Sequence, residues 1–409
     1  MPENVDTFNL PLKRKYRPTT DRFLNLMNSL LNTPSVMIRI FCCVFFLLST
    51  AFELLALEHE GHRSGDVQEN REFQIGLRYG HGMLLPHASE LHYLEAGRFQ
   101  SVEISYMRRL SGREKWHSLY NFPASGFLIS LTNAGHSRKL GYLFILAKTI
   151  EFPLWTPHQN SSINTRLTGG VAYLQSPFDP EKNPRNLAIG TNLNVFVQGS
   201  LEYVYSFSDY WSFSTGLQFN HFSNGSYLKP NKGVNYLMMS LGVHKKFRPT
   251  NRIQHDHHPL IGRSWNALLS GSLNSPHISS DSQYGVVTLG LFHKRGMGPK
   301  LFWLIGAEAI YNAANRRGEL VRRGESPGRS INFQGGAYVG LGLQFGPNSI
   351  SLSKGYLMGS KNIPTEGIYH RVAFRRELTE NMFIHSGICS NYFKASFLDI
   401  GLGYKFGFN

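Results

Sequence analysis

Residues 398–408 alternate strictly between two kinds of side chain, and this pattern constrains the fold more than any other feature of the sequence. Every even position is apolar, and the odd positions between them are Asp399, Gly401, Gly403, Lys405 and Gly407. A period of two places alternate side chains on opposite faces of a β-strand. One apolar face backed by a small or charged face is typical of a strand in a transmembrane barrel, which meets lipid on the outside only.

The same alternation recurs from the first strand to the last. Phe73, Ile75, Leu77 and Tyr79 alternate with polar residues or glycine. We therefore predict an all-β fold, a transmembrane antiparallel β-barrel of about 12–16 strands. A soluble β-sandwich is the competing fold, but it needs neither an export signal nor an apolar face on nearly every strand. The predicted strands cover residues 73–80, 99–108, 125–134, 138–152, 164–174, 187–205, 210–223, 234–247, 264–274, 284–295, 299–311, 330–344, 348–357, 367–377, 381–390 and 398–408.

Composition agrees with a barrel. Aromatic residues make up 13% of the chain, yet the mean hydropathy of -0.24 is too polar for a bundle of membrane helices. The formal charge of +15 suits a partner rich in phosphate, which is either nucleic acid or lipopolysaccharide. No basic patch interleaved with stacking aromatics stands apart from the strand pattern, so we expect no nucleic-acid partner.

The amino-terminal residues 1–56 form an extension and a signal segment, and the secretory signal pattern lies in residues 35–51. One arginine, Arg39, precedes an apolar run of about a dozen residues that ends in small side chains. We expect export to the outer membrane of a bacterium, with cleavage after Ala51 or Ala56 and Met37 as the natural start. An uncleaved anchor helix is the alternative, although the run is shorter than the roughly 20 apolar residues that a spanning helix needs.

Three polar residues interrupt the apolar face of two neighbouring strands. His221 and Ser223 continue the face of Leu217 and Phe219, and Asn235 continues the apolar face of the next strand. A hairpin brings these two strands together, so the three side chains converge on the outer wall. Polar groups facing lipid are costly unless they lie in the headgroup belt or have a function.

The chemistry of this trio suggests nucleophilic catalysis. Ser223 would be the nucleophile and His221 its general base, with a third group orienting the imidazole. The alternative is that all three lie passively in the headgroup belt. A second candidate is the run His255-Asp256-His257-His258, whose side chains could bind a metal. A solvated loop is the better interpretation of that run, and we expect neither a metal nor a cofactor.

The hairpin also carries a resemblance to a known family. The sequence His-Phe-Ser-Asn at 221–224, followed by Pro-Asn-Lys-Gly at 230–233, resembles the lipid A 3-O-deacylases of the PagL type, the outer-membrane acyloxyacyl hydrolases. The run from Arg185 to Asn194 resembles longer members of that family. The resemblance implies a serine hydrolase that removes an ester-linked acyl chain from lipid A. It makes His221 the base and Ser223 the nucleophile, and it makes Asn224 and Gly225 oxyanion donors.

This likeness spans about residues 70–247, so we expect residues 57–247 to be the hydrolase-like portion and 248–409 to complete the same barrel. One departure concerns the third catalytic position, where the family has Glu and this chain has Asn235. The same change costs roughly ten-thousand-fold in a serine protease triad. Glu202 and Asp209 are the carboxylates nearby in sequence that could replace it. Lipopolysaccharide or a phospholipid is the expected partner. The rival function is a non-enzymatic barrel, either a porin or a lipid-binding pseudo-enzyme.

Overall fold

The computed structural model describes residues 72–407 except 95–96, 137, 248–261, 278–281, 325–326, 360–366 and 392–393. The expected signal segment and the His255–His258 run lie outside the described residues. Among the residues described, no helix has the length and apolarity needed to cross a membrane.

Sixteen antiparallel strands make up most of the described chain, which confirms the predicted all-β barrel class. The first eight are β1 (Phe73–Leu84), β2 (Arg98–Arg109), β3 (Ala124–Ala134), β4 (Tyr142–His158), β5 (Ser161–Leu174), β6 (Leu193–Ser206), β7 (Trp211–Ser223) and β8 (Val234–Phe247). The second eight are β9 (Arg263–Asn274), β10 (Tyr284–Gly296), β11 (Leu301–Asn312), β12 (Phe333–Phe345), β13 (Asn348–Gly359), β14 (Gly367–Glu377), β15 (Met382–Asn391) and β16 (Lys394–Phe406). Helices occupy connections: α1 (Lys115–Leu119), α2 (Ala314–Arg323) and two 3-10 turns, Ser89–Leu94 and Arg329–Asn332.

The strands close into two barrels of eight, not one of sixteen. Strand β1 pairs with both β2 and β8, with Tyr79 opposite Leu241 in the closing ladder. Strand β9 pairs with both β10 and β16, with Leu269 opposite Leu402. Each strand thus has a neighbour on both sides, and no sheet edge is left in lipid. The expectation that residues 248–409 complete the first barrel is wrong, because the first eight strands already close.

The first barrel has an interior filled by its own side chains. Arg78 and Arg166 are buried between Glu103 and Glu202. Arg78 contacts Glu103 and donates to Glu202 over 2.8 Å, while Arg166 donates to Glu103 over 2.7 Å. An eight-stranded barrel is just wide enough for side chains to fill, so this ion-pair cluster takes the place of a channel.

The second barrel repeats the arrangement with different residues. The buried Arg371 donates to Asp399 over 2.8 Å and to Glu308 over 2.9 Å. Ser270 Oγ donates to the same Asp399 carboxylate over 2.6 Å. Each barrel therefore has its own polar interior, as expected of two separately closed units.

The outer faces carry the apolar residues that the alternation predicts. On β7, Leu217 and Phe219 are exposed while the intervening Gln218 and Asn220 are buried inside. The outward-facing side chains of both barrels are suited to contact with hydrocarbon. The inward-facing side chains of each barrel pack against one another in its lumen.

The two barrels contact one another at both ends. At one end, Tyr120 donates to the carbonyl of Gln344 over 2.8 Å, and Phe152 packs edge-on against Phe345 at 5.6 Å between ring centroids. At the other end, Ser226 in the β7–β8 connection donates to the carbonyl of Ala395 in β16. The second contact lies beside the residues singled out in the sequence.

Arg371→Ala tests the separate closure of the barrels. It removes the arginine shared by the buried carboxylates of Glu308 and Asp399, so we expect the second barrel to lose about 3–5 kcal/mol of stability. The first barrel should keep its own unfolding transition. Urea titration in lipid vesicles, followed by tryptophan fluorescence, measures both, with the exposed Arg317→Ala as control. A single transition that shifts as a whole would contradict the two-unit architecture.

Candidate active site

The hairpin formed by β7 and β8 lies at one end of the first barrel. Strands β1, β3, β5 and β7 all end there, so the connections 85–97, 135–141, 175–192 and 224–233 meet at this end. Beneath them the upper part of the lumen is apolar, with Phe99, Phe222 and Tyr236 packed together. This packed floor supports the connections that surround the hairpin.

The structure brings together the three residues that strand parity selects. His221 and Asn235 are direct partners in the β7–β8 ladder. His221 Nδ1 is 2.6 Å from Asn235 Oδ1, and His221 Nε2 is 3.0 Å from Ser223 Oγ. Because an amide oxygen only accepts, Nδ1 carries the proton and Nε2 is left to accept from the serine hydroxyl. His221 is half-buried, and Ser223 is only 3% exposed.

A fourth side chain, His87, extends the line behind Asn235. His87 lies in the connection between β1 and β2, and its Nδ1 is 3.0 Å from Asn235 Nδ2. Its Nε2 is 2.8 Å from the carbonyl of Lys232 in the hairpin. The Lys232 ammonium in turn donates to Glu90 over 2.8 Å, which lowers the pKa of Glu90 to about 2. No sequence pattern marked His87, because it is remote in the chain and lies outside a strand.

Gly233 closes over the histidine and the serine. Its φ is +73°, a left-handed conformation that favours glycine. A Cβ at this position would lie 2.8 Å from His221 Cε1 and 3.4 Å from Ser223 Cβ. The glycine of the Pro-Asn-Lys-Gly run therefore lets the backbone pack directly against both side chains.

The N–H groups of Asn224 donate to residues of the hairpin and of the neighbouring connection. Its backbone N–H donates to Asn231 Oδ1 over 3.1 Å, and its side-chain amide donates to Thr191 Oγ1 and to the carbonyl of Leu228. All three of its N–H groups are thus taken. In this structure Asn224 holds the hairpin together, and its role as an oxyanion donor stays a prediction.

Gly225 and Ser226 form a left-handed turn directly after it. Their φ angles are +64° and +65°. Within the described part of the chain, the N–H of Gly225 has no protein acceptor. The α-carbon of Gly225 faces the second barrel, where an added Cβ would lie 2.6 Å from Leu398 Cβ.

The asparagine-rich run from 185 to 194 supports this hairpin from the side. It was predicted as the start of a strand, but β6 begins only at Leu193, and most of the run is a connection. The carbonyl of Ala188 accepts from the N–H groups of Lys232 and Gly233. Asn186 is buried and donates to the carbonyls of Lys139 and Ser176. Amide side chains thus satisfy loop carbonyls, which explains their density here.

Neither of the two carboxylates considered for the third position lies at the site. Glu202 is inside the lumen, paired with Arg78 and Arg166. Asp209 is in the connection between β6 and β7, at the opposite end of β7 from Ser223. Asn235 is therefore the group that contacts the imidazole.

Two family models match the chain. Residues 100–244 match "Lipid A 3-O-deacylase (PagL)", and residues 263–408 match "Acyloxyacyl hydrolase, C-terminal domain". The boundary between the two matches falls between the two barrels. A search of curated proteins found no significant match.

Solved structures similar to this chain include a neisserial surface protein and an outer membrane phospholipase. Neisserial surface protein A has 13% identity and a TM-score of 0.29, covering 43% of this chain and 97% of its own. Outer membrane phospholipase A from Escherichia coli has 11% identity and a TM-score of 0.19, covering 81% of this chain and 96% of its own. On its two family matches, the chain belongs to the PagL-type lipid A deacylase and acyloxyacyl hydrolase family, the lipid hydrolases of the bacterial outer membrane.

Proposed function

We propose that this protein is a serine hydrolase that removes an ester-linked acyl chain from lipid A, with Ser223 as nucleophile and His221 as general base. The observation that carries the proposal is the line of two short hydrogen bonds through one imidazole. Nε2 lies 3.0 Å from the serine hydroxyl, and Nδ1 lies 2.6 Å from an acceptor oxygen. A nucleophile within reach of a base that is itself oriented is the signature of acyl transfer.

The reaction would proceed in two halves. Ser223 Oγ loses its proton to His221 Nε2 and attacks the ester carbonyl carbon, forming a tetrahedral oxyanion. The bond to the sugar oxygen then breaks as His221 returns the proton to that oxygen, which leaves an acyl-enzyme. Water, deprotonated by His221, attacks the acyl-enzyme and releases the fatty acid, while Ser223 recovers its proton.

Of the two residues suggested by the resemblance, Gly225 has the N–H that remains available for an oxyanion. Its N–H lacks a protein acceptor among the described residues, whereas that of Asn224 is bound to Asn231. A left-handed turn immediately after a nucleophile can aim backbone N–H groups at an anion. Such donors are typically worth about 10²–10³ in turnover.

The position of the trio favours a lipid substrate. The three residues continue the exposed apolar face of β7 and β8 instead of lining the lumen. An acyl chain already in the membrane would reach them by lateral diffusion, with its apolar part along residues such as Phe219 and Met239, which are exposed. The formal charge of +15 complements the phosphates of lipid A.

The filled interiors bear on the rival functions. Buried ion pairs occupy both lumens at Arg166 and Arg371, which opposes a porin. A lipid-binding pseudo-enzyme is the second candidate, favoured by one observation. Asn235 cannot balance the charge of a protonated His221 as a carboxylate would, so turnover would be slow or absent.

Ser223→Ala separates these two candidates. The substitution removes the nucleophile without disturbing the fold, so release of hydroxy fatty acid from lipopolysaccharide should stop while lipid binding persists. Mass spectrometry of the products measures release from purified protein. Equal release by wild type and variant would overturn the hydrolase assignment, and no release by either would favour the pseudo-enzyme.

Gly233→Ala should disable the site while sparing the barrel. The added methyl group displaces His221, and misplacing a catalytic group by about 1 Å can cost roughly a hundredfold in turnover. Gly324→Ala, directly after α2, is the matched control, because this glycine has a similar left-handed φ of +77° and a Cβ there meets no atom within 4 Å. Steady-state kinetics on the folded protein should show a lower kcat for the first variant only. Full activity in Gly233→Ala would contradict the described contact.

A further inference from the structure

We infer that His87 is a positioning residue that keeps Asn235 oriented so that His221 can act as a base; this inference rests on the proposed function. An asparagine, unlike a carboxylate, has two different ends. Its oxygen accepts and its nitrogen donates, so the group behind it decides which end faces His221.

The direction of each hydrogen bond in this row of side chains follows from the backbone carbonyl at its end. The carbonyl of Lys232 can only accept, so His87 Nε2 must donate to it. In a neutral imidazole, His87 Nδ1 is then an acceptor, and it receives a hydrogen bond from Asn235 Nδ2. This fixes Asn235 Oδ1 toward His221, so that Nδ1 of His221 carries the proton and Nε2 faces Ser223 as an acceptor.

Rotating the side-chain amide of Asn235 by half a turn would prevent His221 from acting as a base. If position 87 offered only donors, Asn235 would rotate its oxygen toward position 87 and its nitrogen toward His221. His221 would then hold its proton on Nε2 and could not accept one from Ser223. A carboxylate at position 235 has no such dependence, because both of its oxygens accept. The asparagine therefore makes His87 necessary in this chain.

His87 contacts the hairpin through two groups, the side chain of Asn235 and the carbonyl of Lys232. His221 lies beyond Asn235, and Lys232 supplies the carbonyl while its ammonium is bound to Glu90. His87 itself is exposed, so a substitution there does not disturb packing. Position 87 is thus open to a test of hydrogen-bond polarity alone.

The test compares variants that differ in whether position 87 can accept. Glutamine can both donate, through its amide nitrogen, and accept, through its amide oxygen, as neutral imidazole can, whereas arginine has donors only. His87→Gln should keep turnover within about twofold of wild type. His87→Arg should lower kcat by roughly 10²-fold or more, with little change in KM, because the base is lost. His92→Arg, an exposed change in the same connection, is the control for added charge.

A double variant makes the result specific. In an Asn235→Asp background, His87→Arg should cost less than about twofold, since an aspartate accepts from both neighbours. Equal losses for Gln and Arg, or an equal loss for Arg in both backgrounds, would overturn the role of His87. Ser223→Ala is measured alongside: if it keeps full turnover, the proposed function has failed, and otherwise only the inference is at stake.

We also propose that the second barrel holds the turn that follows Ser223 in its working shape. Three hydrogen bonds and one packing contact join the β7–β8 connection to the second barrel. Ser226 Oγ donates to the carbonyl of Ala395 over 2.5 Å, and the carbonyl of Ser226 accepts from the N–H of Ser275 over 3.1 Å. Lys229 Nζ donates to the carbonyl of Pro276 over 3.0 Å.

The turn needs such support because of its backbone conformation. A left-handed φ costs a non-glycine residue about 1–2 kcal/mol, and Ser226 adopts one. Strained residues persist only where their surroundings over-determine them. Here that surrounding structure belongs to β16 and to residues 275–276, outside the first barrel. Leu398 also packs against the α-carbon of Gly225, the proposed oxyanion donor.

A rescue experiment across the two barrels tests this role. In Gly225→Ala the new methyl group meets Leu398 Cβ, so the turn must move and kcat should fall at least about tenfold, with KM little changed. Adding Leu398→Gly removes that obstacle, because the remaining atoms of residue 398 lie 3.4 Å or more away. Part of the lost turnover should return, whereas the backbone strain of an alanine at this left-handed φ remains. Leu402→Gly, four residues along the same exposed face, should restore nothing.

Ser226→Ala supplies a second measurement that adds no atoms. It removes one hydrogen bond to the second barrel, and we expect about a 3- to 10-fold loss of kcat. Unchanged turnover in Ser226→Ala together with no rescue by Leu398→Gly would show that the second barrel does not position the turn. Wild-type activity that Ser223→Ala abolishes would still stand, so the two failures are distinguishable.

Discussion

Barrel closure is the constraint on which the rest of this structure depends. Backbone groups in a bilayer have no water to bond, so a sheet there must join its own edges. A barrel of eight strands has a lumen just wide enough for side chains. Because charged side chains buried in so narrow a space need partners, Arg166 and Arg371 pair with carboxylates there. With both lumens filled, the outer wall and the connections are the surfaces left for chemistry. The candidate site lies where those two surfaces meet, at the rim of β7 and β8.

Strand alternation predicts the elements well but not their closure. All sixteen strands were predicted near their observed positions, because each apolar face repeats every second residue. Nothing local distinguishes a β8 that pairs with β1 from one that pairs with β9, since the alternation is the same in both arrangements. The length of the segment that follows Phe247 could have indicated a break between two barrels. Residues 110–123, however, form a connection of similar length between two strands of the first barrel. Register across a closed sheet is a property of the whole sheet.

The candidate site was predictable to the extent that it lies on strands. Parity places His221, Ser223 and Asn235 on one face, and the structure brings them within hydrogen-bond distance. His87 was not predictable, because no period governs a residue in a connection more than a hundred positions away. The hydrogen bonds of Asn224 were not predictable for a related reason: its partners Asn231 and Thr191 are brought close by the folded connections.

Asparagine in place of an acid changes what the surroundings must supply. A carboxylate would fix the imidazole tautomer by itself and stabilise its positive charge. Asn235 supplies no charge, and it orients the imidazole only while another group fixes its own orientation. In this chain that group is His87, which donates a hydrogen bond to the backbone carbonyl of Lys232 in the same hairpin. A carbonyl oxygen can only accept, so it fixes the direction of each hydrogen bond from His87 to Ser223. In this arrangement the groups that orient the His221 imidazole do not also stabilise its positive charge. Packing at Gly233 and contacts from the second barrel keep the shape of the site. Under the proposed function, such a site would depend more on rigid geometry than on electrostatics, because neutral groups would lower the barrier only when each is held in place.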